Sequence, residues 1–174
     1  MAAGACNDAE ISKIQMLFNQ AKITTDYRKV TVAAKNHKQE TGHTSAAIEL
    51  EDGTIICGHS SELLGCSAAL LLNVTKHLGD IDHNLKLIPQ SMIEPIQYTK
   101  VHYLGGHNPR LHTDEVLVAL SVLSENDENC RVALQQLPKL RGCQAHCTVM
   151  LSDVDQRIFK KLGVNITCEP VLKK

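Results

Sequence analysis

The order of hydrophobic and polar positions predicts helices at the start of the chain. Residues 8–21 place four large apolar side chains at helical spacing. A second helix is predicted from Asp26 to Gln39, where Gly42 then favours a helix end. We therefore expect an N-terminal helical segment over residues 1–42.

A β-hairpin follows this segment. Two short runs of β-favouring and small apolar residues, 46–50 and 54–57, flank the dipeptide Asp52-Gly53. Glycine here supplies the positive φ that a tight hairpin turn requires. The pattern thus predicts two antiparallel strands joined by a short turn.

The rest of the chain alternates apolar helices with short strands. The predicted helices are Ser61–Leu78, Thr113–Leu123 and Glu125–Gln136. Ser60 or Ser61 is the predicted N-cap of the first, and Thr113 is that of the second. A short strand is predicted at Val101–Leu104. The last third predicts a βαβ-like unit composed of strand Ala145–Leu151, a helix opening at Ser152 and ending at Gly163, and strand Val164–Cys168. Together these elements predict one α/β domain, residues 43–174, with a mixed sheet between helices.

Composition narrows the classes of partner. The 174 residues carry 18 Lys and Arg against 19 Asp and Glu, for a net charge of −1, and 3% aromatic residues. Nucleic-acid binders usually show a basic excess or stacking aromatics, so we expect no nucleic-acid partner.

The N-terminus lacks a basic, apolar leader pattern, and Ala68–Leu72 is too short to cross a bilayer. We expect a cytoplasmic protein without a membrane partner.

The seven cysteines are scattered, and several lie in apolar stretches. Free buried thiols are the expectation in a reducing compartment. Cys143, His146 and Cys147 lie close in sequence, but four-ligand zinc sites need recognised spacings such as paired C-x-x-C, which are missing here. We expect no zinc, and the sequence leaves open whether another cofactor is bound.

The most promising chemistry lies in the polar run between residues 105 and 114. It contains His107, Asn108, Arg110, His112 and Thr113 just before a predicted helix. Helix N-termini and arginine both attract phosphate or carboxylate groups, and histidine serves as acid or base. The run predicts a pocket for a small anionic or phosphorylated ligand; alternatively, it is a polar loop held by its own hydrogen bonds.

Two weaker candidates accompany this run. Ser61 and Ser67 lie where the hairpin meets the apolar helix and could face a pocket, although helix capping and close packing explain them as well. His146 lies at the start of a predicted strand and could line the same pocket as the polar run. The candidate catalytic residues are thus His107, His112 and His146.

Four runs of the chain, 41–65, 102–115, 137–146 and 161–167, resemble one family closely. The unusual run His-Asn-Pro-Arg-Leu-His, residues 107–112, is among them. The similarity extends from about Ile11 to Pro170 and is to the C-terminal region of the domain of unknown function DUF1846 family, also called uncharacterised protein family UPF0371.

This resemblance implies a cytosolic bacterial protein about three times as long, whose N-terminal part is Rossmann-like with a phosphate-loop-like segment. It also implies a three-layer α/β/α sandwich with cytidine-deaminase-like topology. Some members are labelled zinc proteases, but this chain lacks HExxH and also the P-C-x-x-C of deaminases, so neither activity is expected.

Two functions remain open on this basis. In the first, the domain contributes an anion pocket to an enzyme site completed by the N-terminal part. In the second, it is a structural or oligomerisation domain without a ligand, and a homo-oligomer is expected.

Overall fold

The computed structural model describes residues 8–169, in which seven helices surround a four-stranded sheet. The helices are α1 (Asp8–Ala21), α2 (Lys29–Thr41), α3 (Cys66–Leu78), α4 (Gln90–Tyr98), α5 (Thr113–Leu123), α6 (Glu128–Gln135) and α7 (Asp153–Lys161). The strands are β1 (Ser45–Glu49), β2 (Ile55–His59), β3 (Gln144–Cys147) and β4 (Asn165–Cys168). The predicted α/β class is therefore confirmed, and Cys6 lies outside the described residues.

The sheet is mixed and has the strand order β2-β1-β3-β4. β1 is antiparallel to both β2 and β3, whereas β3 and β4 are parallel and connected through α7. The predicted βαβ unit is thus confirmed. This order makes β4 an edge strand, beside β3.

The predicted hairpin is also confirmed. Gly53 has φ +84° in the turn between β1 and β2, a conformation that glycine adopts without steric cost. The Asp52 carboxylate accepts a hydrogen bond from the Thr54 N–H at 2.9 Å, which closes the turn locally.

Helices pack on both faces of the sheet. On one face, Val30 and Ala34 of α2 pack against Ala47 of β1. On the other face, α3 and α7 form the main core, which includes Ile48, Leu70 and Phe159. A second apolar cluster joins α3 to α4, α5 and α6. α3 is therefore covered on two sides, which explains its apolar composition.

Several predicted boundaries are wrong for local reasons. α3 begins at Cys66 rather than Ser61, because the Ser61 hydroxyl accepts the N–H groups of Leu63 and Leu64 and forms a turn there. The N-cap position of α3 is accordingly Gly65. β3 ends at Cys147, four residues before the predicted Leu151.

The predicted strand at Val101–Leu104 does not form. Residues Thr99–Tyr103 instead continue α4 as a π-helical turn. α6 begins at Glu128 rather than Glu125, because the Asp127 carboxylate caps it. In α5 the N-cap residue is His112, not Thr113, and the Glu115 carboxylate accepts the His112 N–H at 2.7 Å.

Candidate functional site

Three helices begin at the same edge of the sheet. β1 starts at this edge and β2, β3 and β4 end there, as the pairing of Ser45 with His59 and of Cys147 with Cys168 shows. α3 begins beside it, and α5 is tied to α7 through Asp155. Polar side chains from distant parts of the chain therefore meet at this edge.

The loop of residues 105–112 is braced from several sides. Lys100 donates to the Arg110 carbonyl and to the Glu115 carboxylate, each at 2.8 Å. Gly106 lies so close to the Lys100 carbonyl that a Cβ atom would be 2.9 Å from it. Backbone hydrogen bonds join Leu111 to Leu63 and Gly65. Contacts within the domain therefore hold the loop in place.

Asp155 of α7 occupies the N-terminus of α5. Its carboxylate accepts the Thr113 N–H at 2.9 Å and the Thr113 hydroxyl at 2.8 Å. The Ser152 hydroxyl donates to it at 2.7 Å. The anionic position that the sequence suggested for a ligand at this helix end is thus filled by a side chain of the protein.

Asp155 also holds His112. The His112 Nδ1 atom is 2.8 Å from the carboxylate, which accepts only and so requires the proton on Nδ1. Burial opposes the ionisation of Asp155, but the hydrogen bonds from Thr113, Ser152 and His112 outweigh it and lower the pKa of its carboxyl. In neutral His112, Nε2 is then a proton acceptor, the arrangement of a general base oriented by a carboxylate.

Arg110 and His107 are exposed to solvent. Arg110 is exposed and uses its Nε to donate to the Ser61 carbonyl at 2.5 Å. The Asn108 side chain accepts the Arg110 N–H at 3.1 Å. Among residues 8–169, neither the Arg110 Nη atoms nor the His107 ring has a hydrogen-bond partner. These groups remain available to a molecule outside the domain.

The two serine candidates lie in different environments. Ser61 is exposed and supports the loop through its carbonyl. Ser67 is buried in the first turn of α3, with 2% of its surface exposed. Only Ser61 therefore contacts the 105–112 loop directly.

His146 lies in different surroundings from His112. Side chains alternate along β3, so that Cys147 and Ala145 face the core formed with α3 and α7, and His146 faces α2. Its Nδ1 is 2.9 Å from the Thr167 hydroxyl, and burial lowers the pKa of its ring. The sheet thus separates His146 from the Asp155–His112 pair.

Three thiols meet on the α7 side of the sheet edge. Cys147 of β3 pairs directly with Cys168 of β4, and both pack in the same apolar cluster as Cys66, at the start of α3. We call these residues the thiol cluster. Among residues 8–169, no group of three or more His, Cys, Asp or Glu side chains has an arrangement suited to a metal ion.

Two clefts of the domain do not contain these candidate residues. One of about 350 Å³ lies between β2 and the end of α3 and is lined by Asn73 and Lys76 among others. A second, of about 460 Å³, runs between α4 and α5. Neither is lined by His107, Arg110 or His112.

Sequence reasoning missed Asp155, the residue that joins α5 to α7. The spacing Ser152-x-x-Asp155 is a helix-capping pattern and indicated the start of α7. Nothing in that pattern indicated that the carboxylate would reach a second helix 42 residues away in sequence. The thiol cluster was likewise missed, because its members come from three separate elements.

The described elements define an α/β domain with a mixed sheet and an open polar loop at one edge. Comparison with known proteins gives its family. The family model for the domain of unknown function DUF1846, C-terminal, matches residues 26–174, and the chain belongs to that family.

The relatives that the chain matches are called UPF0371 proteins. That of Corynebacterium urealyticum is 49% identical over 94% of this chain, and that of Corynebacterium aurimucosum is 46% identical over 99%. A relative from Streptococcus pyogenes serotype M5 is 42% identical over 94%. The chain spans only about a third of the length of these relatives, 33% to 35%.

The described helices were also compared with the length of a membrane span. Within residues 8–169, no helix combines the length and the hydrophobicity that crossing a bilayer requires.

Proposed function

We propose that this cytoplasmic domain binds a small anionic or phosphorylated ligand at the 105–112 loop, within an enzyme site completed by the rest of a longer protein. One observation carries the proposal. The loop is braced by Lys100, Glu115 and Ser61, while the terminal nitrogens of Arg110 and the ring of His107 have no partner among residues 8–169.

Electrostatics favours Arg110 as the anchor for the anion. A guanidinium held through Nε presents its remaining N–H groups in a fixed fork, which matches carboxylate and phosphate oxygens. The neighbouring carboxylates are already engaged, Glu115 with Lys100 and Asp155 with Thr113. The N-terminus of α5 is filled by Asp155, so the ligand would bind at Arg110 and Asn108 rather than at Thr113.

His112 is the strongest candidate acid or base for such a site. Asp155 fixes the proton on Nδ1 and leaves Nε2 directed away from the pair. His107 lies five residues earlier on the same loop and is exposed. His146 faces α2 and Ser67 is buried, so neither supports this loop site as strongly.

A thermal-shift screen tests the proposal. The chain is mixed with inorganic phosphate, nucleotides and sugar phosphates, beside the variants Arg110→Ala and Arg157→Ala. Binding at a hundred times the dissociation constant stabilises a protein by about 2.7 kcal/mol, a readable shift. We expect a ligand whose stabilisation is lost in Arg110→Ala and kept in Arg157→Ala, which removes an exposed arginine of α7.

The same screen is run on the whole Corynebacterium urealyticum relative, of which this chain matches 33%, so that the rest of the longer protein is present. A shift in neither protein, or a shift that Arg110→Ala leaves unchanged, would overturn the proposal. An Arg110→Ala variant that changes only the mass of the particle would instead place Arg110 at a contact between subunits.

A second candidate is an assembly role, and the cleft between α4 and α5 favours it. Met92, Pro95 and Ile96 of α4 face Val118 and Val122 of α5. Val118 is 66% and Val122 is 60% exposed, which is unusual for neighbouring apolar side chains. We propose that the larger part of the longer UPF0371 protein packs on this apolar cleft, because the chain corresponds to only a third of its relatives.

A further inference from the structure

The thiol cluster has a geometry that Cys57, Cys130 and Cys143, the other cysteines within residues 8–169, do not share. Cys147 and Cys168 are direct partners in the parallel pairing of β3 and β4. Both side chains pack against the core on the α7 side of the sheet. Neighbouring strands lie about 4.8 Å apart, within the range of Cα separations that a disulfide bridges, about 4.4 to 6.8 Å.

The two thiols differ in their access to solvent. Cys147 is fully buried, whereas Cys168 is half-buried and lies on the edge strand β4. A reagent from solution therefore meets Cys168 first. Cys66 lies on the far side of Cys147, in the first turn of α3, and is buried.

We propose that Cys168 and Cys147 form an oxidisable dithiol that a hydroperoxide converts into a disulfide. Cys168 is the sulfur that attacks the peroxide, and Cys147 is the sulfur that resolves the product. This proposal does not rest on a ligand at the 105–112 loop.

The reaction balances with two thiols and one hydrogen peroxide. The Cys168 thiolate attacks one oxygen, the O–O bond breaks, and the departing hydroxide takes a proton to become water, which leaves a sulfenic acid. The Cys147 sulfur then attacks the Cys168 sulfur, the S–O bond breaks, and the second oxygen leaves as water with the Cys147 proton. The two thiols lose two electrons, and the peroxide gains them.

The charge state of the cluster supports this division of roles. Contact with Cys147 lowers the pKa of Cys168 to about 7, against the effects of burial and of the Asp155 carboxylate, while the Leu151 backbone also lowers it. The same contacts, with Cys168 and Cys66, raise the pKa of Cys147. At neutral pH a larger share of Cys168 than of Cys147 is therefore in the thiolate form.

Alkylation of the folded protein tests the first role. The rate at which iodoacetamide modifies each cysteine is measured against pH by peptide mass spectrometry. Cys57 serves as internal control, since it is also half-buried, but burial raises the pKa of its thiol. We expect Cys168 to react with a midpoint near pH 7, and at that pH about tenfold faster than Cys57. Equal rates would overturn the assignment.

Oxidation of the folded protein tests the second role. After hydrogen peroxide treatment and digestion without reductant, we expect the Cys147 and Cys168 peptides to be joined, with the loss of two hydrogen atoms. A bridge between Cys66 and Cys147, or oxidation of Cys168 without any bridge, would contradict the proposal.

Two substitutions of Cys147 separate hydrogen bonding from bridging. In Cys147→Ser the hydroxyl still donates, so Cys168 should keep its alkylation midpoint and stop as a sulfenic acid that dimedone traps. In Cys147→Ala the donor is gone, and the Cys168 rate at pH 7 should fall several-fold. Cys130→Ala, which removes a buried thiol from the other apolar cluster, should change neither result. If Cys147→Ala does not fold, the Cys147→Ser result decides the question alone.

Discussion

At the scale of the residue, Asp155 does more than any other polar side chain to hold the polar edge together. Its two oxygens accept hydrogen bonds from Thr113, Ser152 and His112, which belong to two different helices and their caps. A buried carboxylate is stable only when it is satisfied in this way. The position of His112 therefore depends on a residue outside the 105–112 loop.

Replacement of this carboxylate gives the first stability prediction. We expect Asp155→Asn to lower the free energy of unfolding by about 1 to 3 kcal/mol, because buried donors on Thr113 and Ser152 lose a charged acceptor. Chemical denaturation at neutral pH measures the difference. Asp153→Asn is the matched control, an exposed carboxylate in the same helix turn, and its effect should stay within about 0.5 kcal/mol.

The pH dependence of stability gives the second test of Asp155. A carboxyl whose pKa is lowered on folding binds fewer protons in the folded state, so acid favours unfolding. Its contribution is complete above the unfolded value near 3.8 and is lost as the pH falls through the lower folded value. We expect stability to fall less steeply below pH 4 in Asp155→Asn than in the unsubstituted chain, and parallel curves would contradict this.

At the scale of the element, the contact between β2 and α3 depends on Gly58. A Cβ atom built on Gly58 would lie 2.4 Å from the Leu70 backbone nitrogen and 2.6 Å from the Leu70 Cα. These are atoms of the helix backbone, which a rotamer change cannot move. α3 can therefore pack on the hairpin at this depth only because residue 58 has no side chain.

This close approach predicts a large effect of a single methyl group. Gly58→Ala should destabilise the fold by about 3 kcal/mol, since α3 must shift away from the sheet. Gly65→Ala is the control, because its Cβ would meet nothing closer than 3.6 Å, and its cost should be limited to the poorer N-cap, about 0.5 to 1 kcal/mol. Thermal unfolding of the two variants measures the contrast, and similar midpoints would show that α3 adjusts freely.

At the scale of the whole molecule, the apolar cleft between α4 and α5 is the surface on which the assembly candidate depends. The replacement of Val118 and Val122 by lysine should leave the fold intact, because both side chains are mostly exposed. It should weaken binding of the chain to the part of the Corynebacterium urealyticum relative that the chain does not match, produced separately. The control is Val32→Lys on α2, which is 39% exposed and distant from the cleft.

Analytical ultracentrifugation measures whether the complex forms. Loss of the complex in the Val118 and Val122 variant, but not in Val32→Lys, is the expected result. The homo-oligomer expected from the sequence is measured in the same experiment. If the chain alone forms a dimer that the lysine variant separates, the occupant of the cleft is a second copy, and the proposed packing of the longer protein's other part is wrong.

Local patterns in the sequence determined the type and order of most elements. The hairpin followed from Asp52-Gly53 between two β-favouring runs, and the terminal βαβ unit from the periodicity around Ser152. Element ends were less predictable, since the start of α3 depends on a turn made by Ser61 and on the pairing of Leu64 with Leu111. The polar character of the 105–112 loop was evident from its residues alone.

Only the tertiary structure decided which of these residues meet. Asp155 reaches Thr113 across 42 residues of sequence, and Cys147 meets Cys66 and Cys168 because strand pairing and the start of α3 bring them to one sheet edge. The alternation of side chains along β3 placed His146 on the opposite face from His112. The sequence by itself determined which chemical groups are present and which local elements carry them. Their contacts were decided by sheet register and helix packing, because these arise from interactions between segments that no local pattern encodes.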